Sequence, residues 1–156
     1  MGIWTKTEAI KIIEQLQTDG KRVVFTNGCF DIIHMGHTTY LKAARNLGDF
    51  LIIGLNSDKS TKQLKGPERP INPQRKRGEA LLALDYVDAV VIFSEETPLK
   101  LISKLKPHVL VKGGDYNKNE IAGKEEVEAS GGQVIVLPFL AGYSTTKILE
   151  KMREKA

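Results

Sequence analysis

The stretch NGCFDIIHMGH, residues 27–37, follows directly on the apolar run Val23-Val24-Phe25. A short β-branched run that gives way to a glycine-punctuated segment, and then to apolar residues at helical spacing, reads as a strand handing over to a helix. Two of the chain's three histidines, His34 and His37, stand at that handover with Gly36 between them. Residues three apart share one face of a helical turn, and a glycine between them removes the side chain that would hold a ligand away. A helix beginning near Gly36 also presents unbonded backbone N–H groups and the positive end of its dipole, which together attract an anion. Phosphate is the guest that suits such an arrangement.

Working outward, β-branched runs recur at 23–26, 51–54, 89–93, 109–111 and 134–137, each near-continuously apolar, as strands covered on both faces are. Helical patterns lie between them at 36–47, 73–84, 98–105, 124–130 and 145–153. Strict alternation of this kind predicts an α/β fold, a Rossmann-like, doubly wound, parallel five-stranded sheet with helices on both faces. Ile10, Ile13 and Leu16 recur at helical spacing up to Asp19-Gly20, so residues 1–20 read as an N-terminal helix ahead of a core over 21–156, the whole forming one domain over 1–156. The polar segment 56–72, rich in Lys, Gly and Pro, reads as a long loop, of a length that is usually functional or mobile inside a compact domain. Ligands of such sheets bind outside the carboxyl ends of the strands, where the strand order reverses. The first predicted strand ends at Asn27, so the opening stretch sits where a ligand belongs.

Composition narrows the classes of partner. Hydrophobic residues make up 41% and charged residues 27% of the 156, the balance of a globular protein that buries its own core. No window approaches the 18 apolar residues that span a bilayer, and the N-terminus lacks the basic-then-apolar order of a signal peptide, so the expected setting is the cytoplasm with no membrane partner. A single cysteine, Cys29, allows no internal disulfide. Few aromatics argue against a nucleic-acid partner, and a net charge of +4 suits anionic small molecules or simply a solvated surface.

Other readings of the histidines stay open at this point. With Asp31 and Cys29 they could ligate a metal, although none of the recognised zinc spacings is present. Cys29 could be a nucleophile activated by His34, or a small buried hydrophobe, and the histidines could simply cap a helix. His108, after Pro107 at a strand entrance, lies at the opposite end and has no assigned function. A dinucleotide-binding dehydrogenase is disfavoured because no GxGxxG follows the first strand.

HMGH, preceded by Phe30-Asp31, resembles the HxGH signature of the nucleotidylyltransferase superfamily, and GYSTTKI at 142–148 resembles its second signature, a Ser-Thr turn that opens the final helix. TNGCFD, GLNSD at 54–58, LKGPERPIN at 64–72, VLVKGGDY at 109–116 and PFLAGYSTT together are similar to the heptose 1-phosphate adenylyltransferases, over residues 21–152. The resemblance implies adenylyl transfer from ATP, with Mg²⁺, to a heptose 1-phosphate, giving ADP-heptose for lipopolysaccharide precursors; it also implies a homodimer and a separate sugar kinase as pathway partner. It assigns catalysis to His34, His37, Lys65 and Arg77, the last two as cations turned to the substrates. Nucleotide binding falls to Asn27, Gly28, Phe30, Asp31, Gly36, Lys112, Gly113, Asp115, Tyr143, Ser144, Thr145 and Thr146, with Lys147 accessory. A cytidylyltransferase acting on a polyol or amino-alcohol phosphate, and a non-catalytic nucleotide-binding module, are compatible with the same signatures.

Overall fold

A computed structural model describes residues 2–114 and 121–137. The described elements run β1 (Gly2–Trp4), α1 (Lys6–Thr18), β2 (Val23–Gly28), α2 (Met35–Arg45), β3 (Phe50–Asn56), α3 (Asp58–Lys65), α4 (Gln74–Leu82), β4 (Ala89–Phe93), α5 (Leu99–Leu105), β5 (Val109–Gly113), α6 (Lys124–Ala129) and β6 (Gln133–Leu137). The strands form one sheet in the order β1-β4-β3-β2-β5-β6, every pair parallel. From β2 the chain builds outward through β3 and β4, then returns to lay β5 on the other flank of β2. The order therefore reverses at β2, and the carboxyl end of that strand is the crevice where doubly wound sheets take ligands.

Side-chain alternation along the strands divides the core in two. Val23, Phe25 and Ile52 pack with Ala9 and Ile13 of α1, Leu101 and Ile102 of α5, and Val127 of α6. Val24, Leu51 and Ile53 face the other way, against Tyr40, Leu41 and Ala44 of α2 and Leu81 of α4. Helices thus cover both faces, as the unbroken apolar runs require. Among the described residues no helix is long and apolar enough to cross a membrane.

Two elements correct the sequence reading. Among the described residues the sheet has six strands rather than five, because Gly2–Trp4, read as the start of a helix, pairs with Ala89, Val90 and Val91 of β4. Three residues are too few to show a period of two. The helix begins only after Thr5, whose side chain accepts from the Glu8 N–H while Glu8 reaches back to the Thr5 N–H, a capping box that marks the boundary in the sequence. The second element is α3, inside the segment read as a loop. Ser57 caps it by accepting from the Ser60 N–H at 3.1 Å, and Gly66, at φ 107°, ends it. The predicted final helix over 145–153 lies outside the described residues.

Candidate active site

Three segments meet at the carboxyl end of β2. The first is the turn into α2. His34 is its N-cap, in extended conformation, and its Nδ1 accepts the Gly36 N–H at 3.1 Å; the His34 N–H donates in turn to His37 Nδ1 at 3.3 Å. The pair is a capping box built from imidazoles, with the rings stacked at 3.9 Å between centroids and 26° between planes. A neutral imidazole whose Nδ1 accepts carries its proton on Nε2, so each ring is an N–H donor. Burial holds His34 below the ordinary imidazole range. Burial also pushes His37 down, to about 4, with the charges of His34 and Lys65 adding to the effect and a backbone hydrogen bond at Ile32 opposing it. The rings are therefore neutral donors at neutral pH.

Phe30 sets the position of His37, since their rings lie 5.3 Å apart at 60°. Its backbone is left-handed, φ 45°, and its ring folds back over Gly28, where a Cβ would stand 2.9 Å from Phe30 Cε2. Only glycine at position 28 leaves room for that ring.

The second segment is the connection from α3 to α4. Asp31, with 1% of its side chain exposed, accepts from Arg69 Nε at 2.8 Å, from the Ile71 N–H at 2.8 and 3.0 Å to its two oxygens, and from the Asn72 N–H at 2.9 Å. Asn72 Nδ2 donates to the Asp31 carbonyl at 2.7 Å. Burial alone would raise the Asp31 carboxyl, but the two amides and the Arg69 guanidinium outweigh it and hold the group below the usual carboxylate range.

Arg77 is the third part, and its place differs from the one the resemblance implies. Its side chain is fully buried beneath the cleft, where Nε donates to the Asn72 carbonyl (2.9 Å), Nη1 to the carbonyls of Cys29 (2.7 Å) and Asn56 (2.8 Å), and Nη2 to Asp58 Oδ1 (2.8 Å). The guanidinium clamps the carboxyl ends of β2 and β3 to the start of α3 and to the turn at Asn72. It supports the site from below instead of lining it.

The cleft above has a volume of about 440 Å³ and is lined by Asn27, Gly28, Cys29, Phe30, Asp31, His37, Tyr40, Asn56, Leu64, Lys65, Arg69, Lys112 and Gly113. Of the residues expected from sequence, Asn27, Gly28, Phe30, Asp31, His37, Lys65, Lys112 and Gly113 come together here. His34 stacks on His37 and Gly36 lies in the adjoining first turn of α2. Asp115, Tyr143, Ser144, Thr145 and Thr146 lie outside the described residues. Lys112, at the end of β5, has its amine pushed down from the usual lysine range by burial, with Cys29 working the other way. Arg69 and Tyr40 were not singled out from the sequence. Tyr40 shares a 2.6 Å hydrogen bond with Thr26 across the buried β2–α2 packing, and Arg69 lies within the LKGPERPIN motif, whose resemblance assigns it no role. Among the described residues no group of three or more His, Cys, Asp or Glu side chains is placed to hold a metal, so the metal-site reading of Cys29, Asp31, His34 and His37 finds no geometry here. His108 lies at the amino end of the sheet, where its Nδ1 accepts the Val23 N–H at 3.0 Å.

The cleft thus offers cations and N–H donors on its walls and one carboxylate, already engaged, among the described residues. Comparison with known proteins agrees with that chemistry. A family model described as cytidylyltransferase-like matches residues 25–151. The chain is 54% identical over 145 residues, 93% of its length, to the bifunctional protein HldE of Trichlorobacter lovleyi, and 52% identical over 99% of its length to that of Pectobacterium carotovorum. It spans 30% and 32% of those two relatives. Among solved structures, the lipopolysaccharide core biosynthesis protein of Thermoplasma volcanium matches with TM-score 0.64 and 26% identity, covering 78% of this chain and 98% of that one. The pantothenate synthetase of Thermus thermophilus, at 15% identity and TM-score 0.67 over 99% of this chain and 70% of its own, shares the fold. With its histidine pair at the strand-order reversal and the family model matched over most of its length, the chain belongs to the cytidylyltransferase-like family of nucleotidyltransferases.

Proposed function

We propose that this nucleotidyltransferase transfers AMP from ATP to D-glycero-β-D-manno-heptose 1-phosphate, giving ADP-heptose and pyrophosphate. The observation that carries the proposal is the pairing of two neutral imidazole donors at the start of α2 with a cleft walled by Lys65, Arg69 and Lys112. High identity to the HldE relatives over nearly the whole chain, and likeness to a lipopolysaccharide core biosynthesis protein, support the choice of acceptor.

In this mechanism an oxygen of the sugar phosphate attacks the α-phosphorus, a new P–O bond forms, and the bond to the bridging α–β oxygen breaks as pyrophosphate leaves. The attacking group is already anionic at neutral pH, so no side chain has to remove a proton. The cleft agrees, since the one carboxylate lining it among the described residues, Asp31, has both oxygens occupied and a lowered pKa. Catalysis then rests on positioning and on charge stabilisation. His34 and His37 donate N–H groups towards the charge that grows on the α-phosphoryl oxygens, Lys65 joins them from the end of α3, and Lys112 balances charge from β5. Ser144, Thr145 and Thr146, with Tyr143, receive the β- and γ-phosphates, and Asp115 with Gly113 meets the nucleoside.

Mg²⁺ accompanies the triphosphate. Among the described residues no cluster of carboxylates is placed to hold it, and phosphate oxygens and water would serve, as they commonly do for this ion. When bound it neutralises phosphate charge. A homodimer working in the cytoplasm, with its sugar phosphate supplied by a sugar kinase activity, completes the proposal.

The test is to incubate the protein with each of the four nucleoside triphosphates, Mg²⁺ and the heptose 1-phosphate, and to measure pyrophosphate. Release with ATP, dependent on the acceptor, is the expected result. Release only with CTP on a polyol phosphate would replace the substrate assignment, and tight nucleotide binding without release would replace the enzyme.

A further inference from the structure

We infer that Arg69 binds the phosphate of the acceptor, and that Asp31 is the positioning residue that holds Arg69 for this task. The inference rests on the proposed transfer reaction, in which two phosphate-bearing substrates share one cleft. Two anions brought within bonding distance need two separate sets of donors, or their repulsion would hold them apart. The α2 turn supplies one set. Lys65, in the last turn of α3, lines the same cleft as His37.

Arg69 stands on the other wall. Its side chain is 12% exposed and lines the cleft, which is unusual for an arginine in a connecting segment. Its Nε is spent on Asp31 at 2.8 Å, which fixes the plane of the guanidinium. Fixing that plane through Nε leaves the paired Nη groups as the edge suited to a phosphate, the fork geometry that lysine lacks. Asp31 does more than neutralise a charge. The same carboxylate accepts the amides of Ile71 and Asn72, so it fixes the backbone on which Arg69 stands as well as the head of the side chain. Asn72 is held a second time, from below, by Arg77. A guanidinium anchored at both ends loses little freedom on meeting a phosphate, which is what preorganised binding requires.

The experiment compares Arg69→Gln, Arg69→Lys, Asp31→Asn and the double variant Asp31→Asn with Arg69→Gln, each by steady-state kinetics in which acceptor and nucleotide are varied separately. Arg69→Gln should raise KM for the acceptor about tenfold to a hundredfold, the effect of losing one charge-assisted contact, and leave KM for the nucleotide within about twofold. Asp31→Asn should move the same constant in the same direction. The double variant should be no worse than Arg69→Gln alone, because Asp31 acts through Arg69. Arg69→Lys should fall between wild type and Arg69→Gln. An equal rise in KM for the nucleotide, additive effects in the double variant, or a lowered melting temperature with unchanged KM values would overturn the assignment.

A second readout separates this inference from the reaction it rests on. Inorganic phosphate is titrated by calorimetry into protein saturated with a non-hydrolysable ATP analogue, and the heat should disappear in Arg69→Gln. If wild type turns over the acceptor but neither KM nor phosphate binding depends on Arg69, the inference fails and the reaction stands. If wild type turns over no sugar phosphate while Arg69-dependent phosphate binding persists, the reaction fails and the anion site stands.

Discussion

The two walls of the cleft are closed over very different lengths of chain. On the α2 wall, hydrogen bonds join residues two and three apart, Gly36 to His34 and His34 to His37. On the opposite wall they join residues 38 to 48 apart, Arg69, Ile71 and Asn72 to Asp31, and Arg77 to the Cys29 carbonyl. The histidine wall can form as soon as α2 does. The arginine wall exists only after β2, β3 and the start of α4 have come together. The imidazole pair is thus held locally, whereas Asp31, Arg69 and Arg77 are held by partners from several elements at once.

Arg77→Met breaks this contrast most severely. It leaves the Cys29, Asn56 and Asn72 carbonyls without their donor and Asp58 without its partner. Breaking a buried, fully bonded charge of this kind costs about 3–5 kcal/mol, to be read by urea denaturation. A loss below about 1 kcal/mol would mean that the wall holds without its clamp.

His37→Ala is the converse. Turnover should fall by about 10²- to 10³-fold, the usual result of removing a donor aimed at developing phosphoryl or acyl charge. Stability should fall by only about 1 kcal/mol, the cost of a lost helix-cap acceptor. A variant that loses several kcal/mol and retains turnover would make the histidines part of the packing.

The two walls also separate in pH. His37 is held at about 4 by burial, with His34 and Lys65 adding to the effect, whereas an unfolded imidazole titrates near the ordinary 6.5. The unfolded chain therefore takes up the proton first. The stability this ring contributes is complete above about pH 6.5 and is lost as the pH falls from there towards 4. The Asp31 carboxyl is lowered from 3.8, so the other wall keeps its contribution through that whole range and gives it up only at lower pH. Denaturation at pH 7 and pH 5 should show wild type losing stability, and His37→Asn should lose measurably less. An equal loss in both would remove His37 as the source.

The smallest effect sharpens the contrast from the far end of the sheet. His108 uses its Nδ1 as the cap histidines do, accepting a backbone N–H, here that of Val23. His108→Ala should cost about 1 kcal/mol and leave turnover unchanged, since the contact joins strand ends remote from the cleft. A drop in turnover would tie the amino end of the sheet to the site.

Much of the fold was legible because its signals are local. Val23 and Phe25 alternate with Val24 between the two cores, and the runs at β3, β4, β5 and β6 have the composition of buried parallel strands. β1 was not legible, since three residues carry no period and its pairing with β4 spans most of the chain. α3 escaped because a helix with two buried residues lacks an apolar stripe, and only the Ser57 cap betrays it. In the site, the histidine pair, Gly28, Phe30, Lys65 and Lys112 were found from motif and resemblance, and they do converge. Arg69 was missed, and Arg77 was given a substrate-facing place that its buried hydrogen bonds do not allow. An arginine in sequence looks the same whether its donors meet a ligand or a backbone carbonyl.

By itself, then, the sequence determined the alternating α/β order and the strand-to-helix turn that carries His34 and His37, because each of these follows from neighbours within a turn or a strand. Only the tertiary structure decided which cations face the cleft and which lie under it, since that choice depends on carbonyls and two carboxylates supplied from elements 19 to 48 residues away. The physical reason is that a guanidinium takes its role from the acceptors around it, and those acceptors are assembled only by the fold.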